Sequence, residues 1–168
     1  MIKDIDIVQG FWTSPLGPMR LAASPQGLLG AWFEDDRHGP DARRADSWAQ
    51  DDDHPLLQAA SEQLNAYFQG RRQVFDLPLD LSLGTAFQQL AWETLGTIGF
   101  GHTITYGDLA SRMRRPSASR AAGAAIGRNP LSIIVPCHRV IGSNGTLTGY
   151  AGGLERKESL LRLEGAWL

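Results

Sequence analysis

Hydrophobic spacing changes character once along this chain, near residues 82–84, and divides it into a strand-rich part and a helix-rich part. In the first part, residues 10–13 and 19–23 flank Ser14-Pro15-Leu16-Gly17-Pro18, a run of turn formers. Residues 27–33 are a third apolar run behind Pro25-Gln26-Gly27. Residues 34–53 are acidic and aperiodic, which predicts a long surface loop. Leu57, Ala60, Leu64 and Phe68 recur at helical spacing with Gly70 closing the helix, and residues 73–81 alternate enough to predict one more strand. In the second part, Thr85 is a candidate N-cap for a helix carrying Phe87, Leu90, Ala91 and Leu95, ended by Gly99-Phe100-Gly101. Short helices over about 106–113 and 118–127 are separated by Arg114-Arg115-Pro116-Ser117, with Ser117 as a candidate cap, the outline of a helix-turn-helix. Asn144-Gly145 predicts a hairpin between two short strands, a wing, and residues 155–163 a last helix. The expected fold class is α/β. A small N-terminal α/β lobe, residues 1–82, precedes a helical, winged helix-turn-helix-like C-terminal domain, residues 83–168.

Charge follows the same division. Residues 1–84 hold seven Lys and Arg against thirteen Asp and Glu, and residues 85–168 hold nine against five. The net charge of −2 does not point to nucleic acid, but one basic half is sufficient for phosphate contact. No apolar leader opens the chain and no stretch approaches the roughly 18 apolar residues of a membrane span. One cysteine excludes an internal disulfide, so a reducing compartment fits and the cytosol is expected.

That cysteine, Cys137, lies in Val135-Pro136-Cys137-His138-Arg139-Val140, behind the apolar residues 131–135, which read as a buried strand. Three readings are open: an inert buried thiol, the commonest fate of free cysteine; a nucleophile activated by a neighbouring base; and a metal ligand, which one Cys and four scattered His do not support. On a strand, Cys137 and His138 would point to opposite faces, so a water would have to bridge them. Glu155, Glu158 and Glu164 could each orient the imidazole, and spacing does not choose among them. The helix over 118–127 is made of small residues around Arg120. Such a helix either packs closely on another or lies deep in a DNA groove with one cation projecting. It has few side chains able to read base edges, so it fits a shape reader. His38, His54 and His102 are expected at the surface and the five tryptophans in packing. Arg114, Arg115, Arg128 and Lys157 are expected as solvated residues or phosphate contacts.

From residue 84 to residue 165 the chain resembles the O6-alkylguanine-DNA alkyltransferases, also called methylated-DNA–protein-cysteine methyltransferases. The resemblance rests on Gly84-Thr85-Ala86-Phe87-Gln88, Thr105-Tyr106-Gly107-Asp108-Leu109-Ala110, Ser119-Arg120-Ala121-Ala122-Gly123, Arg128-Asn129-Pro130, Pro136-Cys137-His138-Arg139-Val140, Gly149-Tyr150-Ala151-Gly152-Gly153-Leu154 and Leu163-Glu164-Gly165. It implies a stoichiometric, irreversible transfer of the alkyl group from O6-alkylguanine, and O4-alkylthymine, in duplex DNA to Cys137. It also implies minor-groove binding and flipping of the damaged base.

By the same resemblance, Cys137, His138, Glu164, Asn129 and Tyr106 are the catalytic set. Glu164 orients His138, which acts on Cys137 through a water; Asn129 braces the turn; and Tyr106 disturbs the adjacent phosphate and protonates the base at N3. Tyr150, Ala151, Val140, Ser143 and Val135 are implied at the substrate pocket, with Tyr150 as a wall and the Ala151 amide donating to O6. Arg120, Tyr106, Gly107, Ser117, Ala118, Ser119, Ala121 and Gly123 are implied at the DNA, with Arg120 filling the vacated stack. No cofactor is implied, and the partner is double-stranded DNA met by a monomer, cooperativity left open. Two departures stand out: Gly99 replaces a proline the family carries, and the N-terminal lobe lacks the cysteine that holds a structural zinc in some relatives. A non-catalytic damage sensor would leave the Cys-His-Glu set without a use, and a thiol hydrolase would leave the small-residue helix unexplained.

Overall fold

The computed structural model describes residues 2–167. Strands β1 (Val8–Ser14), β2 (Gly17–Ser24) and β3 (Gly27–Phe33) form an antiparallel meander. Gly17 and Gly27 take positive φ values of 126° and 154° at its two tight turns. The acidic residues 34–53 are not a bare loop. They hold α1 (Ala42–Asp46), capped by Asp41, and β4 (Ala49–Gln50), which pairs parallel with β1 and gives the sheet order β3-β2-β1-β4. Buried Trp48 stacks on Trp32 and supplies the apolar contact that composition hid. Helix α2 (Pro55–Phe68) buries Leu57, Ala60, Leu64 and Tyr67 against the sheet.

The strand expected over residues 73–81 does not form. Pro78 has no N–H to give, and the Gln63 side chain takes both backbone groups of Asp76, leaving a single bridge, Leu28 to Leu79.

Every residue of β3 is buried although it is an edge strand. Its outer backbone groups are taken from elsewhere in the chain. Leu28 N–H donates to Pro78 and Leu28 C=O accepts from Asp80; Ala31 N–H donates to Pro130 at 2.7 Å and Ala31 C=O accepts from Ser132 at 3.0 Å. The two lobes therefore share one backbone hydrogen-bond ladder and one core, to which Leu28, Phe33, Leu131 and Ile133 all belong.

Helix α3 (Ala86–Leu95) starts at a capping box between Thr85 and Gln88. It stops at Gly96 rather than at residues 99–101, because turns over residues 93–98 take up the chain first. Strand β5 (Ile104–Thr105) leads into α4 (Tyr106–Arg112), capped by a Thr105–Asp108 box. Arg114 at φ 60° turns the chain into α5 (Ser119–Gly127). Ser117 is exposed and caps nothing: α5 begins after Ala118 with no side-chain cap.

Residues 131–135 are not a strand. Ile133 at φ 74° and turn bonds from Val135 to Leu131 and from Ile134 to Ser132 coil the segment, so Cys137 opens a short 3-10 turn, Cys137–Arg139. Beyond it, β6 (Val140–Ile141) pairs parallel with β5. The wing hairpin is reduced to a turn in which Asn144 takes the Thr146 amide and hydroxyl. No second strand follows it among the described residues. Helix α6 (Leu154–Leu163) closes the fold. No helix is long and apolar enough to cross a membrane.

Candidate active site

Asn129, buried at the end of α5, organises the cysteine turn. Its Oδ1 accepts from Leu131 N–H at 2.9 Å, and its Nδ2 donates to the Val135 carbonyl at 2.8 Å and to Cys137 Sγ at 3.2 Å. Part of Cys137 opens to a pocket, yet burial pushes its thiol up to about 11, against the opposing pull of Asn129 and the Lys157 charge. Alkylation of the free protein by iodoacetamide should therefore rise about tenfold per pH unit from 7 to 10, because only the thiolate reacts. A rate that levels off near pH 8 would contradict this environment.

His138 is fully buried beside it. Of the three carboxylates weighed from the sequence, Glu164 is the one in contact, with Oε2 at 2.7 Å from His138 Nε2. Arg139 Nε donates to Glu164 Oε1 at 2.8 Å and Arg139 Nη2 to Oε2 at 3.0 Å, and the Tyr67 hydroxyl donates to Oε2 at 2.6 Å. Burial works to raise Glu164, but these hydrogen bonds outweigh it and hold the carboxyl at about 2. Burial lowers His138, so its ring is neutral. An ionised carboxylate accepts only, so the neutral imidazole carries its proton on Nε2. His138 Nδ1, left as the basic nitrogen, has no partner among the described residues.

Lys157 is not at the surface. It is fully buried on α6, donating to the carbonyls of Val140 and Thr148, each at 2.6 Å, and burial brings it down to about 8.

Cys137 lines a pocket of about 130 Å³ together with Tyr106, Tyr150 and Ala151 from the C-terminal lobe and Arg37 and His38 from the N-terminal one. The Tyr150 hydroxyl is buried there beside Ser132, and the Arg37 amide ties the loop after β3 to the Ala151 carbonyl at 3.0 Å. His38 is thus half-buried at the pocket, and His54 caps α2 through Nδ1; neither is a free surface group. Gly123 and Gly127 of α5 form another wall. A Cβ on Gly123 would come within 3.3 Å of the Tyr106 ring, whose hydroxyl accepts from Thr148 at 2.9 Å.

Other residues named from the sequence lie elsewhere. Val140 is buried in β6, Val135 lines a separate apolar groove of about 320 Å³ and Ser143 is exposed in the turn after β6. Gly107, Ser117, Arg120 and Ala121 are exposed on the α4–α5 unit, with Ala118 and Ser119 half-buried. The Arg120 guanidinium makes no hydrogen bond among the described residues, which suits a group held out for a partner.

Sequence reasoning missed Arg37, His38, Tyr67, Arg139 and Lys157. One signal was available, since Lys157, Leu160, Leu161 and Glu164 recur at helical spacing and so share the buried face of α6. Among the described residues, no group of three or more His, Cys, Asp or Glu is placed to hold a metal ion.

Residues 86–166 match the family described as 6-O-methylguanine DNA methyltransferase, DNA binding domain, and residues 7–81 match its ribonuclease-like domain. The methylated-DNA–protein-cysteine methyltransferase of Methanosarcina acetivorans is 47% identical over 153 residues, covering 91% of this chain and 95% of that protein. The protein of the same name from Mycobacterium tuberculosis is 46% identical over 151 residues, covering 90% and 88%. Among solved structures, Mycobacterium tuberculosis OGT in complex with DNA superposes with a TM-score of 0.86 at 44% identity, covering 94% of this chain and 92% of that one.

Proposed function

This chain belongs to the 6-O-methylguanine DNA methyltransferase family, and on that footing we propose that it repairs O6-alkylguanine in duplex DNA by moving the alkyl group onto Cys137, once per molecule. The observation that carries this reading is the chain's single cysteine at a small pocket, next in sequence to a buried His138 whose Nδ1 has no partner among the described residues and whose Nε2 is held by Glu164.

The exposed edge of α5 enters the minor groove, Arg120 takes the place of the extruded nucleotide, and the damaged base enters the pocket against Tyr150. Buried polar nitrogens are ordinarily satisfied by protein or water, so a water between Cys137 and His138 Nδ1 carries the thiol proton to the ring. Sγ attacks the alkyl carbon in line as the carbon–O6 bond breaks. The electron pair returns to the purine, with the Ala151 amide donating at O6 and Tyr106 protonating N3. A thioether has no leaving group that this site could expel, so the product is terminal. The alkyl-transfer domain begins at residue 83 in this reading. The protein acts as a cytosolic monomer, and O4-alkylthymine is a second substrate.

Mass spectrometry after mixing with a duplex bearing O6-methylguanine tests the proposal. One added methylene on the peptide containing Cys137, never more than one per chain, is expected. An unmodified protein that still binds the duplex would transfer the reading to a damage sensor.

A further inference from the structure

We propose that Tyr67, a residue of the N-terminal lobe, is a positioning residue for the transfer site, setting through Glu164 the basicity of the His138 ring. The chemical consequence rests on the reading of Cys137 as alkyl acceptor; the effect on the ring does not.

Tyr67 lies on the buried face of α2, ninety-seven residues from Glu164, and its hydroxyl crosses between lobes to reach Oε2. The phenol is locked in place, edge-on to Phe68 at 5.3 Å and Phe100 at 6.2 Å and tilted on Phe75 at 5.5 Å. It keeps its proton and donates a hydrogen bond to Glu164, because burial and the adjacent Glu164 charge push its ionisation far above the ordinary phenol range. Oε2 thus accepts from three donors at once: Tyr67, Arg139 Nη2 and His138 Nε2. Donors on one oxygen compete for its electron density, so the phenol weakens the hold of Glu164 on the His138 proton. The charged or titratable groups acting on His138 are Glu164, Arg139 and Lys157, all from the C-terminal lobe. Those acting on Tyr67 are Glu164, Arg139 and Tyr150. Tyr67 therefore carries a contact from the N-terminal lobe to the His138–Glu164 pair, although it touches neither thiol nor substrate.

The test compares the full chain with Tyr67→Phe and with 3,5-difluorotyrosine placed at position 67, a near-isosteric but stronger donor. The His138 Nε2–H proton resonance is expected to move downfield in Tyr67→Phe, as the histidine–carboxylate bond strengthens, and upfield with the fluorinated residue. The acid limb of the transfer-rate profile should move up by about half a pH unit in the first and down in the second, with duplex affinity unchanged. Resonances and profiles that coincide with those of the native chain would make Tyr67 a packing residue and overturn the inference. Should Tyr67→Phe not fold, the fluorinated chain decides alone. A native chain that transfers nothing while its His138 resonance responds as expected would refute the alkyl-acceptor reading and leave Tyr67 in its positioning role.

Discussion

Cys137→Ser is expected to come through an incubation with O6-methylguanine duplex unmodified, its transfer rate lower by more than about a thousandfold, while binding the duplex with native affinity. A serine hydroxyl still accepts from Asn129 and fits the space of the thiol, so the change in stability should stay within about 1 kcal/mol. The proposed DNA surface, centred on Arg120 of α5, is built from other residues and is untouched. Intact mass and a fluorescence-anisotropy titration measure the two halves of the expectation separately. Transfer retained by the serine variant would place the acceptor elsewhere and sink the mechanism.

Glu164→Gln should be the most destabilising single change at the site. Arg139 is 6% exposed, and among the described residues its guanidinium has no anionic partner but Glu164, its other contacts being the Ile98 carbonyl at 2.6 Å and the Phe100 ring at 5.9 Å. Removing the counter-charge leaves a buried cation uncompensated, a cost of about 3–5 kcal/mol, or roughly a 10 °C fall in Tm for a chain of this size. The loss should depend on pH in a fixed direction. Glu164 sits at about 2 in the folded protein against an ordinary 4.5, so its contribution is complete above 4.5 and disappears as pH falls toward 2. The gap between native and variant chains, measured by urea unfolding, should narrow by about 3 kcal/mol across that window. A gap that stays constant from pH 6 to pH 2.5 would mean that the carboxylate charge is not what stabilises the cluster. Transfer by the variant should also be slower, since the amide cannot balance the imidazolium that forms on His138.

Local chemistry accounts for what the sequence disclosed. Gly17 and Gly27 mark their turns because the backbone there needs positive φ, and Thr85 marks its helix because its hydroxyl caps it. The motifs around Cys137, Asn129 and Glu164 carried the resemblance, and these residues do gather in one place. The pocket wall made by Arg37 and His38 was not legible, because a loop with no periodicity reaches Ala151 by a single backbone bond. Tyr67 was hidden for the opposite reason: it obeys the helical apolar spacing of α2, and nothing local sets its hydroxyl apart from a packing aromatic. The coil over residues 131–135 reads as a strand because β-branched residues dominate it. In the structure Ile133 sits at φ 74°, which no local pattern signals. The charge of Lys157 points to the surface, whereas its spacing with Leu160 and Leu161 places it on the buried face of α6.

The ladder that runs from β3 into residues 130–132 joins one lobe to the other through main-chain groups, so replacing a side chain leaves its donors and acceptors in place. The Arg37 amide does the same at the Ala151 carbonyl. The wall given by one lobe and the segment leading to the nucleophile are thus tied by peptide groups, and the two halves of the pocket are expected to shift together rather than swing on a joint.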